Sequence, residues 1–154
     1  MNQSLLTNRT FDELKVGDSA MIKRTVGRQD IELFALASGD FNPAHVDPAF
    51  AEKDFFGHII AHGMWTAAMV SAVLGTKLPG PGTIYLGQEL RFQKPVFPGD
   101  TITATVTVTE KRADKRIVVF DTRCTNQNGE DVLSGLATVI APFERVEWPQ
   151  VTLP

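Results

Sequence analysis

Apolar residues recur with two different periods along the chain. In residues 28–38 they fall three or four positions apart, as at Ile31 and Ala35, which predicts an amphipathic helix. From residue 84 onward the period becomes two. Residues 101–109 alternate threonine with apolar residues without a fault, which predicts a strand with one buried face. The pattern therefore predicts helices early in the chain and a sheet late in it.

A second predicted helix, residues 63–74, is apolar almost all round, and Gly75 is expected to end it. A helix of this kind is normally buried, so more than one surface must cover it. Many of its residues are small, which lets other backbone approach closely. The preceding residues 55–62 read as a loop whose large apolar residues, such as Phe55, we expect to pack inward.

The order of elements predicts an α+β fold, an antiparallel sheet wrapped around one long buried helix. We expect a single domain over residues 1–154, with its core at about 11–141. Asp47 followed by Pro48 predicts the start of a short helix. The remaining predictions are a lead-in at 1–10, strands at 19–26, 84–93 with a possible bulge at Gly87, 116–125 and 131–141, and a tail at 142–154.

Composition narrows the function classes. The 154 residues carry a net charge of -3 and no basic run, which argues against nucleic-acid binding. A single cysteine, Cys124, excludes an internal disulfide and fits a reducing compartment. The polar N-terminus has no apolar signal core, and the longest apolar stretch is too short for a bilayer. We therefore expect a cytoplasmic protein that neither enters a membrane nor binds nucleic acid.

Candidate chemistry is concentrated in residues 38–45, which hold a carboxylate, an amide and an imidazole. Asp40 and His45 could orient one shared water and remove its proton. The same residue types also build turns. Asp40 could cap a turn, Asn42 could form an Asx turn before Pro43, and His45 could cap the next helix. The residues alone favour turn chemistry.

The start of the apolar helix is a second candidate feature. The N–H of Gly63 lies where backbone donors are unpaired, so it could stabilise an oxyanion that develops on a carbonyl. The alternative is a packing glycine at a helix entry. A zinc site from His45, His58 and His62 is disfavoured because no HExxH pattern is present, and we expect no metal.

Three basic side chains could contact phosphate groups of a ligand, although solvated surface is the better expectation for each. They are Lys77, Arg91 and Lys94.

Taken together, the motifs resemble those of the MaoC-like (R)-specific enoyl-CoA hydratases. The resemblance covers roughly residues 11–141. The motifs that carry it are Ser38-Gly39-Asp40-Phe41-Asn42-Pro43-Ala44-His45-Val46-Asp47, Ala61-His62-Gly63-Met64, Tyr85-Leu86-Gly87-Gln88, Leu90-Arg91-Phe92 and Pro95-Val96-Phe97-Pro98-Gly99-Asp100.

The resemblance implies a hot-dog fold and a homodimer whose two sheets join, with coenzyme A near the subunit interface. It implies a hydro-lyase of fatty acid metabolism that hydrates trans-2-enoyl-CoA to (R)-3-hydroxyacyl-CoA, reversibly and without a metal or redox cofactor. Coenzyme A is then part of the acyl-CoA substrate.

The resemblance also assigns roles to residues. Asp40 and His45 become the catalytic pair, and Asn42 supports their loop. Gly63 binds the thioester oxygen. Met64 and Ser71, with Trp65 and Ala68, are candidates for the lining of the acyl tunnel.

Three other functions remain open. A hot-dog thioesterase or an acyl-carrier-protein dehydratase would use the same fold on related substrates. A non-catalytic acyl-CoA binding or dimerisation module would bind ligand without turnover. A generic structural domain would use Asp40 and His45 only as turn and cap residues.

Overall fold

The computed structural model describes residues 4–153 of the chain. The helical elements are a 3-10 turn at Phe11–Glu13, α1 (Arg28–Ser38), α2 (Pro43–Val46), α3 (Pro48–Ala51) and α4 (Gly63–Thr76). The strands are β1 (Leu5–Thr7), β2 (Ser19–Thr25), β3 (Ile84–Gln88), β4 (Arg91–Phe92), β5 (Thr101–Arg112), β6 (Ile117–Thr125), β7 (Asp131–Ile140) and β8 (Glu147–Pro149).

The main sheet is antiparallel and has the strand order β2-β5-β6-β7-β3, with β4 also pairing with β7. The strand predicted at 101–109 is confirmed and continues to Arg112. Its apolar residues are buried as the alternation requires, and Ile102, Ala104 and Val106 are each 0% exposed. The threonines between them lie on the other face of the sheet.

The long helix α4 packs on the buried face of this sheet. Val70 and Val73 are 0% exposed and belong to one core cluster with the inward residues of β5, β6 and β7. Burial of each such side chain contributes about 1.5–3 kcal/mol. An antiparallel sheet wrapped around one long helix is the hot-dog arrangement, so the predicted α+β fold class is confirmed.

Helix α1 has the bounds that the periodicity predicts, 28–38. The Asp30 carboxylate accepts a hydrogen bond from the Gly27 N–H at 2.7 Å and so closes the first turn. Gly39 ends the helix with φ 79°, a left-handed conformation that glycine adopts without strain, and its N–H donates to the Ala35 carbonyl. The chain therefore leaves α1 in a fixed direction toward Asp40.

Two predictions about burial are wrong for one isolated copy of the chain. One face of α4 is open, with Met64 54% exposed and Ala68, Ser71 and Ala72 also exposed. Phe55 is 90% exposed instead of packing inward, because residues 52–58 form an outer turn and only Ile59 onward re-enters the core.

Gly75 also does not end α4, which continues to Thr76.

The two termini form structure that the sequence pattern did not predict. β1 and β8 pair as a separate two-stranded antiparallel sheet, so the expected lead-in and tail contain a strand each. Asn8 is 1% exposed, and its side chain donates to the Pro81 and Glu144 carbonyls. Both contacts join residues more than 70 positions apart, a separation at which local patterns carry no signal.

The strand predicted at 84–93 is divided into β3 and β4. A register irregularity lies between Tyr85 and Gly87, where a bulge was predicted. Beyond it, the carbonyl of Glu89 passes directly over Gly135 of β7. A Cβ atom on Gly135 would lie 1.7 Å from this oxygen. The absence of a side chain at Gly135 is therefore what allows the chain to cross there and begin β4.

None of the helices within residues 4–153 has the length and hydrophobicity that a bilayer crossing needs.

Candidate active site

His45 is held by a short helix and a main-chain hydrogen bond. Asn42 caps α2 by accepting from the Ala44 N–H, and Pro43 occupies the first helical position. His45 is 9% exposed, and its Nδ1 lies 2.8 Å from the Ile60 carbonyl oxygen. A carbonyl only accepts hydrogen bonds, so Nδ1 carries the proton. In the neutral ring, Nε2 is then the atom with a free lone pair.

Asp40 follows the left-handed Gly39 and is exposed at the edge of the site. Its Oδ1 accepts from the Asn42 N–H at 3.2 Å. The turn bonds expected of Asp40 and Asn42 are therefore present. His45 does not cap the following helix, because Asp47 accepts the N–H groups of Ala49 and Phe50 instead. The turn chemistry thus brings Asp40 and His45 to one side of the loop.

The structure brings three polar side chains together. One carboxylate oxygen of Asp40 and one ring nitrogen each of His45 and His62 all lie within 4.8 Å of one another. A single water with hydrogen bonds of about 2.8 Å can reach two atoms at this separation. The ring centroids of His45 and His62 are 3.9 Å apart, with planes inclined by 30°. The site therefore contains an imidazole pair beside a carboxylate.

Within residues 4–153, these three side chains form the one group that could offer ligands to a metal ion. Zinc prefers a tetrahedral set whose lone pairs converge on one point. Two rings inclined by only 30° with centroids 3.9 Å apart have their lone pairs in nearly parallel, separated planes, so these lone pairs do not converge readily on one ion and the arrangement suits stacking better than coordination. His58 lies apart, exposed and edge-on to Phe97, and does not join the other two histidines.

Gly63 opens α4 directly beside this cluster. The first N–H groups of a helix have no intrahelical acceptor, and they favour developing negative charge. A Cβ on Gly63 would lie 2.7 Å from the Phe92 ring. The lack of a side chain therefore lets the Phe92 ring close over the helix entry, where Gly63 itself lines a cavity.

Two cavities meet at the start of α4. The first, about 370 Å³, is lined by His45, Gly63 and Phe92 among others. The second, about 470 Å³, runs along the open face of α4 past Ala68 and Ser71. Met64 lines both and stands between them.

The three basic side chains named as candidates, and the cysteine, show no sign of a role in the reaction. Lys94 lines the first cavity but is paired with Glu130 on the surface, and Lys77 and Arg91 are exposed. Burial raises the pKa of the Cys124 thiol to about 12, so it is not a ready nucleophile.

The structure gathers most of the predicted site. Asp40, His45, Gly63 and Met64 lie around the helix entry, whereas Ser71 lies two turns along α4 in the second cavity. Asn42 acts on the loop as the cap of α2. The sequence did not predict the positions that two neighbouring side chains take in this site.

These neighbours are the ring of His62 as a partner of His45, and Phe92 as the wall above Gly63. The position of His62 immediately before the glycine at the helix start was the available signal.

Fold and site together define a hot-dog domain that carries a carboxylate and an imidazole beside the N-terminus of its central helix. The chain matches the model of the MaoC like domain over residues 14–129. This chain belongs to the MaoC-like domain family.

Three similar proteins are named as (R)-hydratases. The chain is 51% identical to an "(R)-specific enoyl-CoA hydratase" of Rhodospirillum rubrum, over 86% of this chain and 91% of that protein. It is 46% identical to a protein of the same name from Aeromonas caviae, over 84% and 96%. The solved structure of unliganded R-hydratase PhaJ1 from Pseudomonas aeruginosa has 44% identity and a TM-score of 0.93, and the match covers 98% of this chain and 97% of that one.

The contact between Gly63 and Phe92 predicts a non-additive effect on stability. We expect Gly63→Ala to lower the free energy of unfolding by about 1–2 kcal/mol, because the new methyl group presses on the ring. In a Phe92→Ala background the same change should cost clearly less, since the space is then free. Urea unfolding of the four proteins of this cycle measures both values. Equal costs in the two backgrounds would show that the ring does not exclude a side chain at this position.

Proposed function

We propose that this protein is an (R)-specific enoyl-CoA hydratase, which reversibly adds water to trans-2-enoyl-CoA to form (R)-3-hydroxyacyl-CoA. The observation that carries the proposal is the Asp40–His45 pair, held within reach of one water beside the N-terminus of α4. The names of the relatives in Rhodospirillum rubrum and Aeromonas caviae support the same reaction.

Asp40 and His45 hold the water that attacks C3. The pair removes one proton from this water as its oxygen bonds to C3. The C2–C3 π electrons move toward the thioester oxygen, and the pair then delivers a proton to C2 on the same face. His45 suits this role because its Nδ1–H is committed to Ile60, which leaves Nε2 to accept and return a proton. The two groups act as one unit in this transfer.

Gly63 supplies the second half of the chemistry. Its N–H donates to the thioester oxygen as enolate charge develops there. One such preorganised donor typically contributes about 3–4 kcal/mol to transition-state stabilisation. Asn42 contributes by fixing the loop, because its side chain caps the helix that carries His45. The reaction needs neither a metal nor a redox cofactor, and coenzyme A enters only as part of the substrate.

The competing functions differ in product. A thioesterase releases free thiol, an acyl-carrier-protein dehydratase prefers the carrier-bound thioester, and a silent module binds acyl-CoA without turnover. The intact acid–base pair beside a helix N-terminus favours the hydratase over the silent module and over a purely structural domain. We place the enzyme in the cytoplasm, in keeping with its single cysteine, which fits a reducing compartment.

Removing either member of the pair should abolish most of the activity. We expect Asp40→Ala and His45→Ala each to lower turnover of crotonyl-CoA at least ~100-fold, as is typical for a positioned acid–base group. The assay follows loss of the enoyl-thioester absorbance, with chiral analysis of the product.

The exposed residues His58 and Asp12 provide matched controls, and His58→Ala and Asp12→Asn should retain activity. A folded wild type that is inert on short and medium enoyl-CoAs, or that releases thiol, would refute the hydratase assignment.

We further propose a homodimer in which a second copy covers the open face of α4. Strand β3 stands at the end of the sheet order, so one of its edges is unpaired within the part of the chain that the structure describes. Ile84 and Leu86 on this strand are 56% and 52% exposed, and Met64 on the adjacent helix is 54% exposed. An edge strand next to exposed apolar residues is the kind of surface that joins two sheets.

Light scattering after size-exclusion chromatography should therefore give twice the chain mass of 16.9 kDa. Ala72→Glu places a charge on the open face of α4 without touching either cavity, and should shift the protein toward the monomer. Ala113→Glu, in an exposed turn, is the control that should leave the mass unchanged. A monomeric wild type at micromolar concentration would contradict the homodimer.

The second cavity is the proposed acyl site, with Met64 as its boundary. The thioester lies at Gly63, and the acyl chain must pass Met64 to run along Ala68 and Ser71. The size of the residue at position 64 then limits the length of chain that fits.

Met64→Ala should raise the ratio of kcat/KM for octenoyl-CoA to that for crotonyl-CoA about tenfold or more, in line with the free energy of a few buried methylene groups. Met64→Leu, which conserves volume, should change the ratio much less. Steady-state kinetics on a series of chain lengths measures it. An unchanged ratio in Met64→Ala would place the acyl chain elsewhere.

A further inference from the structure

His62 is a buried polar residue that the reaction just described does not use. It occupies the N-cap position of α4, but its side chain makes no capping hydrogen bond. The residue is 2% exposed. Its ring lies between two others, 4.9 Å from the Phe34 ring of α1 and 3.9 Å from the His45 ring of α2, measured between centroids. One imidazole at the start of α4 therefore contacts both α1 and α2.

The hydrogen bonding of this ring defines its tautomer. Nε2 of His62 lies 3.0 Å from the Asp40 carbonyl oxygen. The oxygen can only accept, so Nε2 carries the proton and donates. Nδ1 is buried and has no hydrogen-bond partner within residues 4–153. A buried polar atom without a partner is unfavourable, and in native proteins such atoms are few and call for a reason.

An apolar ring would fill the same space without the unpaired nitrogen. What it could not do is hold the main chain of Asp40. The carboxylate of Asp40 is exposed, and its Oδ1 bonds only to the N–H of Asn42 within the same turn. The bond from His62 is thus the link that joins this turn to the start of α4, where Gly63 lies. The stacked ring sets the distance to His45 at the same time.

We propose that His62 is a positioning residue that holds the Asp40 carboxylate and the His45 ring at the separation that one water can bridge. Its Nε2–H fixes Asp40 through the main chain, and its face supports His45. The proposal rests on the hydratase function proposed above. It assigns to His62 no contact with substrate and no proton transfer.

Two substitutions separate the parts of this role. His62→Phe keeps a ring between Phe34 and His45 but removes the donor. His62→Gln keeps an amide N–H that can reach the Asp40 carbonyl but removes the ring. We expect His62→Phe to lower kcat on crotonyl-CoA about 100-fold, the scale of a 1 Å misplacement, with KM within about threefold. His62→Gln should recover at least tenfold of this loss.

A double-mutant cycle tests whether His62 acts through Asp40. In an Asp40→Asn background, the fall in kcat caused by His62→Phe should shrink to less than about threefold, because the group that it positions has already lost its function. A purely structural role would give the same fall in both backgrounds and would overturn the proposal. So would a folded His62→Phe enzyme with wild-type kcat.

A measurement on the wild type keeps the proposal testable without activity. Long-range proton–nitrogen NMR of the histidine rings should show the Nε2–H tautomer for His62 and the Nδ1–H tautomer for His45. An Nδ1–H tautomer at His62 would overturn the proposal even if the enzyme is an active hydratase. The expected tautomers in a protein that does not turn over enoyl-CoA would support the positioning geometry and refute the hydratase function alone.

Discussion

The packing of α4 against the concave face of the sheet is the constraint on which the rest of the molecule depends. Val70, Val73 and Leu74 are almost fully buried there, together with the inward residues of β5 and β6. This core fixes the direction of the helix, and with it the position of the N–H groups at Gly63. A helix end that must meet a substrate oxygen needs such a rigid support, because preorganised donors act only when they do not have to move.

The residues proposed to be catalytic and the residues that form the turn are the same in this protein. Asp40 and Asn42 make the short-range bonds that fold residues 39–46, and those bonds bring the Asp40 carboxylate toward the ring of His45. The two interpretations of this stretch, turn chemistry and acid–base chemistry, are therefore not alternatives. The same short-range bonds that fold the loop therefore also bring its carboxylate and its imidazole together.

Local patterns predicted the parts of the fold that local forces determine. The bounds of α1 followed from its period and from Gly39. The position of β5 followed from its alternation, because its residues face the core and the other side of the sheet in turn. The pairing of β1 with β8 was missed because its partners are 140 to 144 positions apart. The burial predicted for Phe55 was wrong because hydrophobicity alone does not say whether a loop residue faces the core.

The site was predictable to a similar extent. Asp40, His45 and Gly63 follow from the motifs, because the proposed reaction requires a carboxylate, an imidazole and an accessible backbone N–H at these positions. The stacked ring of His62 and the wall formed by Phe92 depend on how separate elements meet, and no spacing in the chain encodes that meeting.

The crossing at Gly135 separates the residues that shape the cavities from the residues that are proposed to react. Because the Glu89 main chain passes over a strand position without a side chain, the segment that carries Leu90 and Phe92 leaves the ladder of β3 and forms walls of both cavities. The loop at residues 39–46 belongs to no strand of this sheet and is shaped by its own turn bonds. Sequence drift in the segment after β3 can therefore reshape the cavities while the reacting groups stay in place, and evolution can diversify the acyl groups accepted without rebuilding the chemistry.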